Sequence, residues 1–211
     1  MVKDLGGAFS GERTAEQTQI AQFRSYGPGT TTPAGHLNEI ARAVAASRYN
    51  TLEQNARLFA LLNIAMADAA IASWDCKYWY NFWRPITAIQ LADTDGNPDT
   101  LADPSWTPLL ATPPFPEYVS GHSTFSVAAA IVLAYFYGTD EMRFTLGSDD
   151  LPGVQRHYSR FSEAAQESGM SRIYGGIHFM SSNLRGLGLG TAVGDYVYQN
   201  LLLPKRNRSW D

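Results

Sequence analysis

The apolar positions of this chain recur mostly at helical spacing. In TLEQNARLFALLNIAMADAAIAS, Leu52, Phe59, Leu62, Met66 and Ala69 return every three or four residues. Thr51 precedes them as an N-cap. A shorter helix is predicted over His36–Arg48, after the loop YGPGTTTPAG, and another from Gly121 to Tyr137, stopped by Gly138. Two more are predicted at Ser159–Glu167 and Leu184–Leu203. The proline-rich stretch Ala92–Pro116, with its turn DTDGNPD, reads as one long irregular connection. GTDEMRFTLGSDDLPGV reads as polar turns, and alternating β patterns are nearly absent. The expectation is all-α: a helical bundle forming one domain over residues 1–211, with a motif core at 51–203. In the last helix Gly186, Gly190 and Gly194 fall four apart on one face. Each glycine costs roughly 1 kcal/mol inside a helix, and close approach of a neighbouring helix is the expected compensation.

Composition narrows the classes. With 45% hydrophobic residues in 211, the chain can bury a sizeable core. A net charge of −4 gives no global field for nucleic acid, so an anion site must come from local cations. Cys76 alone excludes an intramolecular disulfide or a Cys-rich metal centre. The run Phe125–Tyr137 has 13 residues where a membrane span needs about 20, and Leu184–Leu203 contains Arg185 and Asp195, so no membrane span is expected. The start, MVKDLGGAFSGERTAEQ, has no apolar leader core. Any leader of a secreted or periplasmic protein is therefore expected outside this chain, and the compartment is not legible.

Three clusters carry candidate chemistry. KYWYNFWRP sets Lys77 and Arg84 seven residues apart among aromatics, an odd place for cations. YVSGHSTFS leads through Ser120, Gly121 and His122 into an apolar helix, whose first-turn N–H groups would suit an anion. SRIYGGIHF holds Ser171, Arg172 and His178 around a Gly175-Gly176 turn. Together they supply three cations, a hydroxyl, an amide N–H and two imidazoles. That inventory fits a tetrahedral oxyanion, with one histidine attacking or ligating the central atom and the other protonating an apical oxygen. Alone, each cluster has a blander reading: cation–π contacts, a helix start, a satisfied core histidine. His36 and His157 have no motif around them and are assigned to the surface or a cap.

The ordered trio Lys77/Arg84-Pro85, Ser120-Gly121-His122 and Ser171-Arg172/His178 resembles the type 2 phosphatidic acid phosphatase and vanadium-dependent haloperoxidase superfamily. The helix NIAMADAAIASWD also resembles its soluble haloperoxidase branch. The resemblance implies an α-helical bundle binding vanadate or phosphate. His178 would be the vanadium ligand, or the nucleophile of a phosphatase, and His122 the acid/base. Lys77, Arg84 and Arg172 would neutralise the oxygens, with Ser120 and the Gly121 N–H adding hydrogen bonds. In the peroxidase case the substrates are peroxide and halide, and in the phosphatase case a phosphoester. Trp74 and Phe115 resemble pocket-lining aromatics of chloroperoxidases, where bromoperoxidases have a histidine at the second position; plain core packing is equally open for both.

The chain also departs from the pattern. Val119 stands where the family often has proline, which is expected only to loosen the turn. Ser182 stands where an aspartate often follows the last histidine, so no charge would orient His178 and phosphohistidine chemistry is in doubt. A buried carboxylate is expected beside Arg172, with Glu16, Asp68, Asp75 and Asp195 as candidates. The chain is short for a haloperoxidase, which leaves open a fragment, a minimal member or a homodimer. A non-catalytic oxyanion-binding module is the third reading. The aromatics of KYWYNFWRP are expected to pack the segment that carries the cations.

Overall fold

In the computed structural model, residues 1–204 are described. The elements are α1 (Val2–Gly6), α2 (Ala15–Phe23), α3 (Thr32–Ser47), α4 (Leu52–Tyr80), α5 (Pro85–Gln90) and a 3₁₀ turn at Ala92–Thr94. There follow α6 (Gly121–Tyr137), β1 (Glu141–Leu146), β2 (Arg156–Arg160), α7 (Phe161–Tyr174) and α8 (Met180–Asn200). The architecture is a helical bundle built around α6, which packs against α4, α7 and α8. Its start explains why the chain stops being loop there: Ser120 caps it, and the helix ends at Gly138 in the left-handed region, φ 70°. Thr51 and Gln54 form a capping box that begins α4. From there α4 runs through the cation-bearing stretch and ends at Asn81, also left-handed.

The core joins α3, α4, α6 and α7 through Leu37, Leu58, Leu62, Ala129, Leu133 and Phe161. By length and hydropathy α4 could cross a membrane, but Leu58, Leu61, Leu62, Ala65 and Ala69 are buried inside the bundle. The glycine stripe on α8 lies against α6. A Cβ on Gly190 would fall 2.2 Å from the Thr124 carbonyl oxygen, and one on Gly186 2.7 Å from that of Ser120. Close backbone contact is the compensation for the glycines' helix cost.

Four expectations are corrected. The polar turns after α6 contain a strand, β1, paired antiparallel with β2, with Phe144 opposite Tyr158. Met142, Phe144 and Leu146 alternate inward along it, and Phe144 stacks on Tyr158 and Phe161. The helix expected at Ser159–Glu167 begins two residues later and continues to Tyr174, which puts Arg172 in its last turn. His36 is not a surface or cap residue, being 2% exposed inside α3; His157 is exposed as expected, on β2. Finally, most aromatics of KYWYNFWRP do not pack the segment into the core. Tyr78, Tyr80 and Phe82 are exposed and Trp79 is 81% exposed, while Lys77 turns inward.

Candidate active site

Gly176, at φ 76°, turns the chain out of α7 and delivers His178 just ahead of α8. There the imidazole meets a carboxylate that the sequence reading did not find. His178 Nδ1 lies 2.7 Å from Glu117 Oε1, with both groups buried. The same oxygen accepts the Phe179 N–H at 2.9 Å, and the Ser182 hydroxyl donates to Oε2. Glu117 is thus an acceptor for three donors. Burial pushes its pKa up, and these hydrogen bonds together with Arg84 and Lys77 pull it back. Because a carboxylate accepts, Nδ1 carries the proton and Nε2 the lone pair. Arg84 Nη1 stands 3.1 Å from that Nε2. Burial, then Arg84, Lys77 and Arg172, hold His178 well below the usual imidazole pKa.

Each cation is held by oxygens or rings of neutral groups. Lys77, in the last turn of α4, donates to the carbonyls of Pro116, Glu117 and Val119 at 3.3, 3.0 and 2.5 Å. The ammonium also sits over Trp74 and Phe115, and Arg84 lies over Phe115 at 5.0 Å. Arg84 Nε donates to the Phe115 carbonyl at 3.0 Å and Nη1 to that of Ile177 at 2.8 Å. Arg172 Nη1 donates to the Arg24 carbonyl at 2.6 Å. Its Nε is buried with no partner. No carboxylate among the described residues pairs with Arg172, so the expected acidic partner is corrected; Glu16 instead bonds Arg156 at 2.6 Å. Burial lowers Lys77 to about 7 and both Arg84 and Arg172 to about 10. Lys77 and Arg84 share the one carboxylate of Glu117, and Arg172 feels only the more distant Asp150, which leaves this region short of negative charge.

The head of α6 closes the cluster. Ser120 N donates to the Ser182 carbonyl at 3.2 Å, tying α6 to α8. Its hydroxyl is engaged in the cap, accepting from Ser123 N and lying 2.8 Å from the Ser123 hydroxyl. Among the described residues, no protein acceptor meets the N–H groups of Gly121 and His122. Gly121 lies against Trp74, whose ring would be 3.4 Å from an added Cβ. Trp74 and Phe115 pack on each other at 5.1 Å. The His122 ring donates from Nε2 to the Arg24 carbonyl at 3.1 Å and stacks on Tyr26 at 5.2 Å. Its pKa is lowered by burial first, then by Arg172 and His178.

Lys77, Arg84, Ser120, Gly121, His122, Arg172, His178, Trp74 and Phe115 thus converge, the hydroxyl of Ser120 being turned into its own cap. A tetrahedral oxyanion fits this donor set: an orphaned guanidinium N–H, open first-turn amides, an aimed imidazole lone pair and uncompensated positive charge. Two contributors were missed. Glu117 stands in FPEYVSGH, a lone charge in an apolar, proline-rich stretch, which is a usable signal. Arg24 contributes a backbone oxygen, which no residue type can announce.

A family model for the VCPO second helical-bundle domain matches residues 57–203. Vanadium chloroperoxidase of Curvularia inaequalis is 30% identical over 235 aligned positions, covering 83% of this chain and 38% of that protein. The chain therefore spans about two-fifths of that relative's length. A bacterial vanadium-dependent iodoperoxidase superposes with a TM-score of 0.78 at 36% identity, over 88% of this chain and 44% of that one. A holo-type bacterial vanadium-dependent chloroperoxidase matches with a TM-score of 0.71 over 94% of this chain and 45% of that one; at 19% identity it speaks to the fold alone.

Proposed function

Because this chain belongs to the VCPO second helical-bundle domain family, in the haloperoxidase-like branch of its superfamily, we propose that it oxidises halide with hydrogen peroxide at a vanadate held by His178. The observation carrying this reading is the Glu117–His178–Arg84 line. Glu117 fixes the proton on Nδ1, and Nε2 accepts from Arg84 Nη1, a bond that an incoming oxyanion would take over from the imidazole. A metal-ligating imidazole needs that tautomer, with its other ring N–H donated to an acceptor such as Glu117.

Lys77, Arg84 and Arg172 would hold the vanadate oxygens by charge and hydrogen bonds, joined by the Gly121 N–H and by the Ser120 hydroxyl, which the cap uses as an acceptor. When bound, vanadate supplies Lewis-acid activation of peroxide without changing its own oxidation state. The chain's own residues do the rest. His122 donates Nε2–H to the Arg24 carbonyl, so Nδ1 is its free basic position for accepting and returning a proton. Its lowered pKa keeps it neutral, and thus a base, at neutral pH. Trp74 and Phe115 keep water from the cation side.

Glu117 also favours a second reading. The objection to phosphohistidine chemistry was the missing acid at Ser182, and Glu117 brings a carboxylate to His178 from elsewhere in the chain. A soluble phosphatase using His178 as nucleophile remains the alternative. Bromination of a phenolic dye with peroxide, before and after orthovanadate, separates the two. Vanadate-dependent bromination supports the peroxidase, and repeating it with iodide and chloride reads the halide range and the role of Phe115. Hydrolysis of p-nitrophenyl phosphate that vanadate inhibits, with no bromination, overturns it for the phosphatase.

A further inference from the structure

The loop between α2 and α3 lies outside the residues matched by the family model, yet it forms one wall of the candidate site. Tyr26 stands in it at φ 53°, in the left-handed region that a tyrosine rarely adopts. Asp150, from the segment after β1, holds this conformation by accepting the Tyr26 N–H at 2.7 Å and the Gly27 N–H at 3.3 Å. A strained, externally pinned residue at such a place needs a reason.

The side chain supplies one. The ring stacks on His122 with centroids 5.2 Å apart and planes 29° from parallel. The hydroxyl bonds His36 Nδ1 and lies 3.3 Å from Arg24 Nη1. His36 Nε2 meets the Gly147 carbonyl at 3.0 Å; a carbonyl only accepts, so Nε2 carries the proton and Nδ1 receives the Tyr26 O–H. Tyr26 and His36 also line a cavity of about 320 Å³, together with Thr31, Glu39, Asp149 and Gln155. The tyrosine thus borders open space, and the bonds of its hydroxyl to His36 and Arg24 hold it against His122.

We propose that Tyr26, aimed by the buried His36, is a positioning residue for His122. It presses the imidazole against the Arg24 carbonyl, and so keeps the proton on Nε2 and Nδ1 free. The inference takes its meaning for catalysis from the proposed acid/base role of His122, but its first test needs neither vanadate nor turnover. In ¹⁵N-histidine-labelled protein, two-bond ¹⁵N–¹H correlations report the tautomer of each ring. The parent should show His122 as a single Nε2–H form. Tyr26→Phe keeps the ring and removes the hydroxyl's bonds to His36 and to Arg24 Nη1; it should give a mixture of both tautomers. His36→Gln, which does not touch His122, should do the same. Where halogenation is present in the parent, kcat should fall about tenfold in both variants, with KM for peroxide changed less than about threefold.

An unchanged His122 tautomer in both variants overturns the inference, whatever the activity does. Altered tautomers support it even where the parent shows no halogenation, a result that would count against the proposed function alone. Should His36→Gln fail to fold, Tyr26→Phe decides, since it leaves both the packing and the His36 imidazole in place.

Discussion

The two histidines of the site sit at comparable places, each near the head of a helix, yet they are held by opposite kinds of partner. His178 has a full negative charge behind it, Glu117, and a cation in front, Arg84. His122 has a neutral backbone oxygen behind it and an aromatic face across it. A charged partner raises the basicity of the imidazole and locks its direction, which suits a ligand or nucleophile. A neutral partner fixes direction without anchoring charge, which suits a group that must take and give back a proton. Burial and neighbouring cations push both rings down in pKa, so the division of labour comes from what each ring donates to.

The sharpest way to break the comparison is to remove each ring. His178→Ala should abolish vanadate binding together with turnover, a loss of about a thousandfold or more, with circular dichroism unchanged. His122→Ala should cut kcat by about a hundredfold while vanadate affinity, read by titration, stays within a few fold. If both variants lose vanadate affinity equally, the two rings do not differ in role. Next in size is Glu117→Gln, which keeps the shape but removes the charge and can present an N–H to Nδ1. By the logic of a triad acid, turnover should fall by about a hundredfold or more. Parent-like turnover would mean that Glu117 is packing only. Arg172→Lys replaces a fork by a point charge and should weaken vanadate about tenfold.

The smallest effect is on stability. His36 and His178 are almost wholly buried and held neutral, His36 at about 4, with burial the leading cause for each. A folded pKa below the ordinary 6.5 means that acid protonates the unfolded chain first. Their contribution is intact above about pH 6.5 and is lost as pH falls from there toward the folded values, by about 1.4 kcal/mol per pH unit for each ring. Glu117, raised by burial, works against this slope at the acid end. Urea midpoints at pH 7.5 and 5.5 measure it, and an unchanged midpoint would show that these rings are not held neutral.

How much of this was legible follows the same physics. Cations and imidazoles in ordered motifs announce themselves, and helices α4 and α6 carry their caps in the letters Thr51, Ser120 and Gly138. The hairpin was hidden because EMRFTL is only six residues long and is interleaved with charges that read as turn. His36 was hidden because no local pattern tells that a distant loop, at Gly147, and a tyrosine will cover it. The exposure of Trp79 was misread from the opposite side: an aromatic-rich run does not say which face of α4 turns inward. Ser182 was read correctly as chargeless, but the carboxylate it lacks arrives 65 positions earlier in the chain, a distance only the fold can close.

The bare face of α8 has a consequence for the reach of the two imidazoles. Gly186 and Gly190 lie against the backbone oxygens of Ser120 and Thr124, and His178 and His122 stand at the heads of the same two helices. The thickness of this seam is set by carbon atoms that are missing. It works as a spacer gauge: one methyl at Gly186 would push apart the ends that carry the imidazoles, and the far ends much less. Drift at these glycines should therefore register as a change in the gap that a four-oxygen guest must fill, before it registers as a loss of fold.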